Sequence, residues 1–438
     1  MRFVDLFAGT GGIRLGYEEA CSKHGIKTEC VFSCEIDKKA CESYEINFGV
    51  NPQSDICTVS SLPDFDFLLA GFPCQAFSYA GKQKGFGDTR GTLFFEVERL
   101  LGKHKPPFFL LENDRGLTTH DQGRTFQTIQ KHLRELGYHI NYLLLNSSNF
   151  EVPQNRVRIY ILGSLYGEIV SNLYSDTGPA DSHKFRKGSM QGDLVEMPKK
   201  QPVVADILED VVDEKYHCTN DFTRRLKKVI GEDLTALHGY RLIDYRGGQS
   251  IHSWELGIKG DCSAKEINFM NLLISNRRKK HFGTHQDGKA LTIDQIKTFY
   301  DKDDISELLD SLCSKGYISC YGGKYNPVAG NMSFEVFKFL DPNSISITLT
   351  ASDTNRLGIV HRGIARRLTP RECARLQGYP DNYRLLDDDN AVYKQMGNGV
   401  SVPVIKTVID DFLTNNKEHI REAQQGGGLN ALPRVSHL

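Results

Sequence analysis

The sequence has 438 residues, 39% apolar and 25% charged, as expected of a globular chain with room for two or three packed domains. Its 54 basic and 55 acidic residues leave a net charge of −1, which neither indicates nor excludes a nucleic-acid partner, because such binding depends on where charge lies. No apolar run approaches the length of a membrane span, and the first residues do not read as a signal peptide. The 11 cysteines show no C-x-x-C pair and no zinc-ligand spacing, so free thiols in a reducing cytosol are expected.

Over residues 1–163 short apolar runs alternate with amphipathic stretches, which predicts a parallel α/β sheet. Strands are expected at 3–7, 30–34, 67–70, 108–111, 142–145 and 157–162, with helical patterns at 38–48, 93–101 and 123–136. The run Phe108-Phe109-Leu110-Leu111 lacks polar alternation, as a strand covered on both faces would. From 164 to 345 polar and Gly-rich segments dominate. Within them 292–300 and 305–315 predict two short helices and 317–325 a tight hairpin. That order resembles a winged helix-turn-helix, although small α+β modules of no special function look the same. The second helix would turn Asp304, Glu307 and Asp310 outward, a surface unsuited to the major groove, so a structural role is favoured. Helix and strand patterns return over 365–415. Beyond them a tail containing Gly426-Gly427-Gly428 is expected to be disordered.

Four places carry chemistry. The first strand runs into Phe7-Ala8-Gly9-Thr10-Gly11-Gly12, a glycine turn that lets a ligand approach the backbone near a helix N-terminus, although many such turns bind nothing. Arg14 occupies the third glycine position of the dinucleotide fingerprint, and no lysine and hydroxyl pair follows, so an adenosyl group without phosphates fits best. Glu35 ends the second strand where ribose hydroxyls would lie, and Asp55 could meet an adenine amino group. Cys74 lies on the loop Gly71-Phe72-Pro73-Cys74-Gln75-Ala76-Phe77-Ser78 leaving a strand's carboxyl end, where Pro73 fixes the backbone. The other ten cysteines read as small buried hydrophobes. Glu112 ends the next strand, beside the same edge; an exposed acid at a strand end is the bland alternative. Gln154, Arg156 and Arg158 alternate onto one face, where the arginines would hold an anionic group unless they simply face solvent on an edge strand. The basic clusters 224–228 and 277–281 are candidates for phosphate contact, against the commoner reading as solvated helix faces. Trp254, the single tryptophan, reads as core.

Together these motifs, in this order, resemble the cytosine-5 DNA methyltransferase family. Asp5-Leu6-Phe7-Ala8-Gly9-x-Gly11-Gly12 is similar to its cofactor motif, Gly71-Phe72-Pro73-Cys74-Gln75 to its nucleophile motif, Glu112-Asn113 to its glutamate motif and Gln154-x-Arg156-x-Arg158 to its arginine motif. Arg367 to Pro380 resembles the helix supporting the recognition domain, and Tyr393 to Val400 the closing motif. The resemblance implies a Rossmann-like S-adenosylmethionine-dependent methyltransferase domain with an inserted α+β target-recognition domain. The expected boundaries are 1–164 catalytic, 165–355 recognition (winged-helix-like at 291–340), 356–415 catalytic again and 416–438 tail.

It also implies roles. S-adenosylmethionine, leaving as S-adenosylhomocysteine, would be held by Phe7, Gly9, Gly11, Gly12, Glu35, Ile36, Asp55, Ile56, Pro73 and Asn398. Cys74 would attack a cytosine flipped out of double-stranded DNA, Glu112 would hydrogen-bond the ring, Arg158 would favour the thiolate, and Arg156 would orient Glu112 or a phosphate. Gln75, Ser78, Thr348, Arg277 and Arg278 would touch DNA. The implied setting is a monomer in bacterial cytoplasm, without metal or membrane, genetically paired with a restriction endonuclease. The rival readings are a transfer-RNA cytosine-5 methyltransferase, whose recognition region is more compact, and a non-catalytic DNA-binding regulator, which would not need these residues intact. Two departures stand out. Asp114 replaces the small aliphatic residue usual after Glu-Asn, and would either raise the pKa of Glu112 or turn toward Arg115. Gly399 stands where serine is common.

Overall fold

The structure is a computed structural model that describes residues 1–73, 93–178, 201–244, 248–283, 289–330 and 334–425. The chain forms two compact units: Met1–Leu208, Ser344–Thr354 and Pro370–Leu438 make the first, Glu209–Asn343 and Asn355–Thr369 the second. These limits differ from the expected 165 and 356. Ile169 and Leu173 pack into the first unit's core, and residues 357–367 complete a sheet of the second.

The first unit opens with β1 (Arg2–Leu6), α1 (Gly12–Lys23), β2 (Glu29–Cys34), α2 (Lys38–Phe48), β3 (Phe67–Gly71), α3 (Leu93–His104), β4 (Phe108–Asp114), α4 (Arg124–Glu135), β5 (His139–Asn146) and β6 (Val157–Ser164). The strands form one six-stranded sheet in the order β2-β1-β3-β4-β6-β5. Strands β1 to β4 pair in parallel, but β6 runs antiparallel to both β4 and β5. The expected all-parallel sheet fails at this strand because the link 147–156 is too short for the crossover that a parallel neighbour needs. The apolar run of β4 is covered on both faces as expected: Phe108 and Leu110 pack with Ile405 and Phe412, Phe109 and Leu111 with Leu100 and Ile129. Gly163 of β6 admits the ring of Phe109, which a Cβ there would approach to 2.1 Å.

The second unit contains α5 (Asn220–Ile230), β7 (Arg241–Leu242), β8 (Ser250–Ile251), α6 (Ala264–Asn276), β9 (Leu291–Thr292), α7 (Ile293–Lys297), α8 (Ile305–Ser314), β10 (Ile318–Tyr321), β11 (Lys324–Pro327), β12 (Lys338–Phe339), β13 (Leu357–His361) and β14 (Ile364–Arg367). The two short helices and the hairpin lie where the sequence predicts them, and β9 adds a third antiparallel strand to β11. Their apolar faces share one core with α6 and Trp254. Trp254 is fully buried, stacked on His252 at 4.5 Å between ring centres, and its indole N–H donates to Asn271. A second sheet, ordered β14-β13-β12-β7-β8, packs on α5 through Phe222, Leu226, Val336 and Phe339.

The chain returns to the first unit as α9 (Pro370–Leu376), α10 (Asp389–Asn398), α11 (Val402–Asn415) and α12 (Lys417–Gln425). Helix α11 lies so close to α1 that a Cβ on Gly16 would stand 2.7 Å from Ile405. Its Phe412 meets the rings of Phe67 and Phe108 edge-on. The expected disorder from 416 onward is wrong over 417–425. Asn416 exchanges two hydrogen bonds with the backbone of Val170, and Ala423 is buried in the core. Helix α12 was hard to see because only Ile420 and Ala423 interrupt its polar sequence. Residues 426–438 lie outside the described residues.

Candidate active site

Strands β1, β3 and β4 are parallel, so their carboxyl ends open on one edge, where ligands collect in sheets of this kind. Past β1 the backbone turns through left-handed conformations at Phe7 (φ 54°), Gly9 (φ 53°) and Gly11 (φ 79°). Glu35 fastens this turn to the second strand. One carboxylate oxygen accepts from the Gly9 N–H at 2.8 Å, the other from the Ile36 and Asp37 N–H groups at 2.8 Å each. Two tyrosines hold the turn from behind: Tyr379 shares a 2.7 Å hydrogen bond with the Thr10 hydroxyl, and Tyr383 donates to the Thr10 carbonyl at 2.6 Å. Sequence reasoning missed both, although Tyr379 lies in the quoted motif that ends at Pro380 and Tyr383 follows three residues later.

A cleft of about 700 Å³ starts at this turn. Phe7, Gly9, Glu35, Ile36, Asp55, Ile56, Pro73 and Asn398 line one part of it, and Glu112, Arg156 and Arg158 line another. Gly11 and Gly12 have a different role, because a Cβ on Gly11 would stand 2.2 Å from Phe48 and one on Gly12 2.5 Å from the Tyr379 hydroxyl. They let Phe48 of α2 and Tyr379 of the segment after α9 approach the turn. Ile36, 69% exposed, offers an apolar face that only a ligand would cover. Asp55 caps the turn that follows it, accepting from the Cys57 N–H at 2.9 Å. The two rim lysines are already paired, Lys39 with Glu42 and Lys394 with Asp37, each at 2.8 Å. Apolar faces, two carboxylates and neutralised lysines suit a nucleoside better than a phosphate, so these residues fit an adenosyl cofactor.

Glu112 lies deeper, only 7% exposed, near the end of β4. Strand alternation puts Asp114 on its face, and the antiparallel register sets Asp114 opposite Arg158 and Glu112 opposite Tyr160. The Arg158 guanidinium reaches both acids, with Nη1 2.8 Å from Asp114 and Nε 3.4 Å from Glu112. Burial raises the pKa of Glu112; Arg158 and Arg156 oppose the rise and Asp114 adds to it. Asp114 thus turns to Arg158, not toward Arg115 as one expectation had it. Asn113 points to the opposite face and donates to the Phe72 carbonyl at 2.8 Å, tethering the backbone just before Pro73.

The alternation expected across Gln154, Arg156 and Arg158 fails because β6 begins at Val157 and lies inside the sheet, between β4 and β5. Buried Arg156 donates to the carbonyls of Leu349 at 2.9 Å, Gly397 at 3.3 Å and Gly399 at 2.5 Å. Gln154 donates to the Leu376 carbonyl and accepts from the Leu349 N–H. Both residues bind distant segments together, and Arg156 thereby fixes the backbone around Asn398. On the far side of the Asp114–Arg158 pair lies a polar hollow of about 530 Å³, lined by Arg115, Asn155, Thr348 and Ala351. The Thr348 hydroxyl donates to the Asn155 carbonyl.

Cys74, Gln75 and Ser78 lie outside the described residues. Of the ten other cysteines, Cys21, Cys34, Cys41, Cys218 and Cys373 are buried as expected, whereas Cys57 and Cys320 are exposed. Arg277, a candidate DNA contact, is buried and donates to Asn326 at 2.7 Å and the Lys289 carbonyl at 3.2 Å, so it holds its own unit together. Arg278 is exposed. The cluster on α5 is neutralised locally, Arg224 and Arg225 by Asp221, Lys227 by Glu232 and Lys228 by Asp261. Among the described residues no group of three or more His, Cys, Asp or Glu is arranged to hold a metal ion, and no helix is long and apolar enough to cross a membrane.

Comparison with known proteins agrees with this geometry. The family model of the C-5 cytosine-specific DNA methylases matches residues 1–414. The chain is 61% identical over 416 residues to Type II methyltransferase M.BanI of Aneurinibacillus aneurinilyticus, covering 95% of this chain and 96% of that protein. It is 59% identical over 412 residues to Type II methyltransferase M.HgiCI of Herpetosiphon aurantiacus, covering 94% and 97%. Among solved structures, the S. pombe Dnmt2 methyltransferase aligns with a TM-score of 0.53 at 16% identity, covering 95% of this chain and 99% of that one. At that identity it speaks for the fold alone, a Rossmann-like methyltransferase fold as the sequence implied. The chain belongs to the C-5 cytosine-specific DNA methylase family and is a DNA (cytosine-5-)-methyltransferase.

Proposed function

We propose that this enzyme transfers the methyl group of S-adenosylmethionine to carbon 5 of a cytosine flipped out of double-stranded DNA, through a covalent adduct on Cys74. The observation that carries this reading is a single cleft lined both by Phe7, Glu35, Ile36 and Asp55 and by the buried Glu112, with Pro73 on its wall one peptide bond from Cys74. Phe7 and Ile36 would sandwich the adenine, Glu35 would accept from the ribose hydroxyls, Asp55 would meet the adenine amino group, and Asn398 would close the pocket. When bound, S-adenosylmethionine supplies a methyl carbon made electrophilic by its sulfonium.

Carbon 5 of cytosine is too weak a nucleophile to attack that carbon unaided. Addition of the Cys74 thiolate to carbon 6 moves the ring's π electrons toward carbon 5, while Glu112 hydrogen-bonds N3 and the amino group and gives N3 its proton. After transfer the carbon-5 proton leaves to water, the sulfur–carbon 6 bond breaks, the ring double bond returns and N3 gives its proton back to the Glu112 carboxylate. An ordinary thiol with a pKa of about 8.5 is only a few per cent ionised at neutral pH, and Arg158 is the cation that would favour its thiolate. Base flipping precedes all of this, because a stacked cytosine hides its faces from the thiol.

The second unit would choose the target sequence. Thr348, Gln75, Ser78 and Arg278 remain DNA contacts in this reading; Arg277 does not. The Type II names of the relatives support a bacterial, cytoplasmic enzyme paired with a restriction endonuclease, and we take it to act as a monomer. Cys74→Ala should abolish methylation and leave S-adenosylmethionine binding nearly intact; labelled methyl reaching DNA through that variant would end the covalent mechanism. Bisulfite sequencing of DNA from cells expressing the chain would reveal the target. Methylation of transfer RNA in preference to duplex DNA would overturn the substrate assignment.

A further inference from the structure

The residue after the Glu112-Asn113 pair is an acid, and its placement gives it a part in the reaction proposed above, on which this inference rests. Asp114 and Arg158 are directly opposed on adjacent antiparallel strands, whereas Glu112, two residues earlier on the same face, lies diagonal to Arg158. The distances follow that register: 2.8 Å from Arg158 Nη1 to Asp114 and 3.4 Å from Nε to Glu112. Arg158 also donates from Nη1 to the Val157 carbonyl at 2.8 Å, so its one guanidinium serves three acceptors. The other Asp114 oxygen accepts from the Gly116 N–H at 2.9 Å, which fixes the carboxylate's orientation. The Asp114–Arg158 pair borders both the cleft and the polar hollow beside it.

We propose that Asp114 is a positioning residue that competes with Glu112 for the Arg158 guanidinium, so that the buried carboxyl meets cytosine as a hydrogen-bond donor instead of being locked in an ion pair. A bidentate arginine–carboxylate pair would hold Glu112 ionised and use its oxygens as acceptors. Among the described residues the charged and titratable groups facing Glu112 are Arg158 and Tyr160 on β6, Arg156 in the turn before it, and Asp114 on its own strand. Only Asp114 pushes the equilibrium toward the protonated acid from outside the burial itself. Removing its charge also frees Arg158 for Glu112, and both effects lower the pKa of Glu112.

The test is Asp114→Asn, which keeps the bond to Gly116. The Glu112 carboxyl is followed by carbon-13 NMR in the apoprotein, and kcat for DNA methylation is followed against pH. Asp114→Asn should lower the Glu112 midpoint and the alkaline limb of kcat together by about one pH unit, a roughly tenfold loss of kcat on that limb, with KM for DNA little changed. Asp114→Glu, which can still reach Arg158, should restore the wild-type profile, and serves as the control if Asp114→Asn folds poorly. A folded Asp114→Asn with an unmoved midpoint and limb overturns the proposal, as does an upward shift or a failure of Asp114→Glu to rescue. If Glu112→Gln retains full activity, the parent mechanism falls; if Glu112→Gln is inactive while Asp114→Asn matches wild type, only the role of Asp114 falls.

Discussion

Two glutamates, one in each unit, are both nearly closed to solvent, Glu112 much the deeper in the protein, and they are oppositely treated. Glu112 in the first unit is 7% exposed and Glu266 in the second 5%. Glu266 closes the capping box that opens α6, accepting from the Ser263 N–H, the Ser311 hydroxyl and the Lys315 ammonium, each at 2.7 Å. Its burial would raise its pKa, but Lys315 and the serines overcome that and hold it down at about 2. Glu112 has an arginine at 3.4 Å, shared with another acid, and its pKa rises. Burial alone therefore does not mark a working carboxyl. The partners withheld from it do, and they leave bonding capacity for a substrate.

Neutral substitution of the two acids tests that contrast most severely. Glu112→Gln should lower kcat by about 10²-fold or more, the range of a lost general acid, while leaving the melting temperature unchanged or higher. A near-wild-type rate would remove Glu112 from the chemistry. Glu266→Gln should do the reverse, costing about 2 kcal/mol of stability by weakening charge-assisted bonds and leaving Lys315 without its counter-charge. Denaturant unfolding reads this, and an unchanged midpoint would show that its partners contribute little. The stability that Glu266 supplies should be complete above its unfolded pKa and fade as pH falls through about 2.

A second buried acid of the first unit sharpens the contrast. Asp5 is fully buried beside the glycine turn; one oxygen accepts from Tyr44 at 3.2 Å and the other has no hydrogen-bond partner among the described residues. Burial, only partly offset by Arg14 and Tyr44, pushes its pKa up to about 8. The folded chain holds this proton and the unfolded chain releases it, so stability should fall between about pH 4 and 8, by at most about 1.4 kcal/mol per pH unit. Asp5→Asn should flatten that slope, and an unaltered pH dependence of melting would place the proton elsewhere. The smallest effect is expected on α5. Because Lys227 and Lys228 already have acidic partners, replacing both with alanine should change the salt dependence of DNA binding by less than one ion equivalent.

What could be read in advance was local. The strand that ends in Glu112 announced itself by four consecutive apolar residues, the hairpin after α8 by its paired glycines, and the cleft by the order of its motifs. Apart from α12, the main misreadings concerned contacts and pairings across the chain. Nothing near Arg156 tells that its guanidinium meets carbonyls some 200 to 240 positions later, at Leu349, Gly397 and Gly399. Register also escaped, because pairing Asp114 with Arg158 requires knowing that β6 runs backward. The i, i+2 spacing of Glu112 and Asp114 was the one available hint. Gly11 and Gly12 fit a ligand-binding motif and a packing requirement equally well, and the rings of Phe48 and Tyr379 decide in favour of packing.

The packing of α11 on β3 and β4 has a temporal side. Phe67 and Phe108 leave the ribosome about 300 residues or more before Phe412, the ring that closes over them. Until Phe412 is made, α1 alone covers that face of the sheet carrying Glu112 only in part, while every segment of the second unit has already been synthesised. Such long-range closure is slow and leaves sticky surface waiting. A nascent chain, or one cut before α11, should thus be a chaperone client without methylating power, so that activity arrives only once α11 has been made.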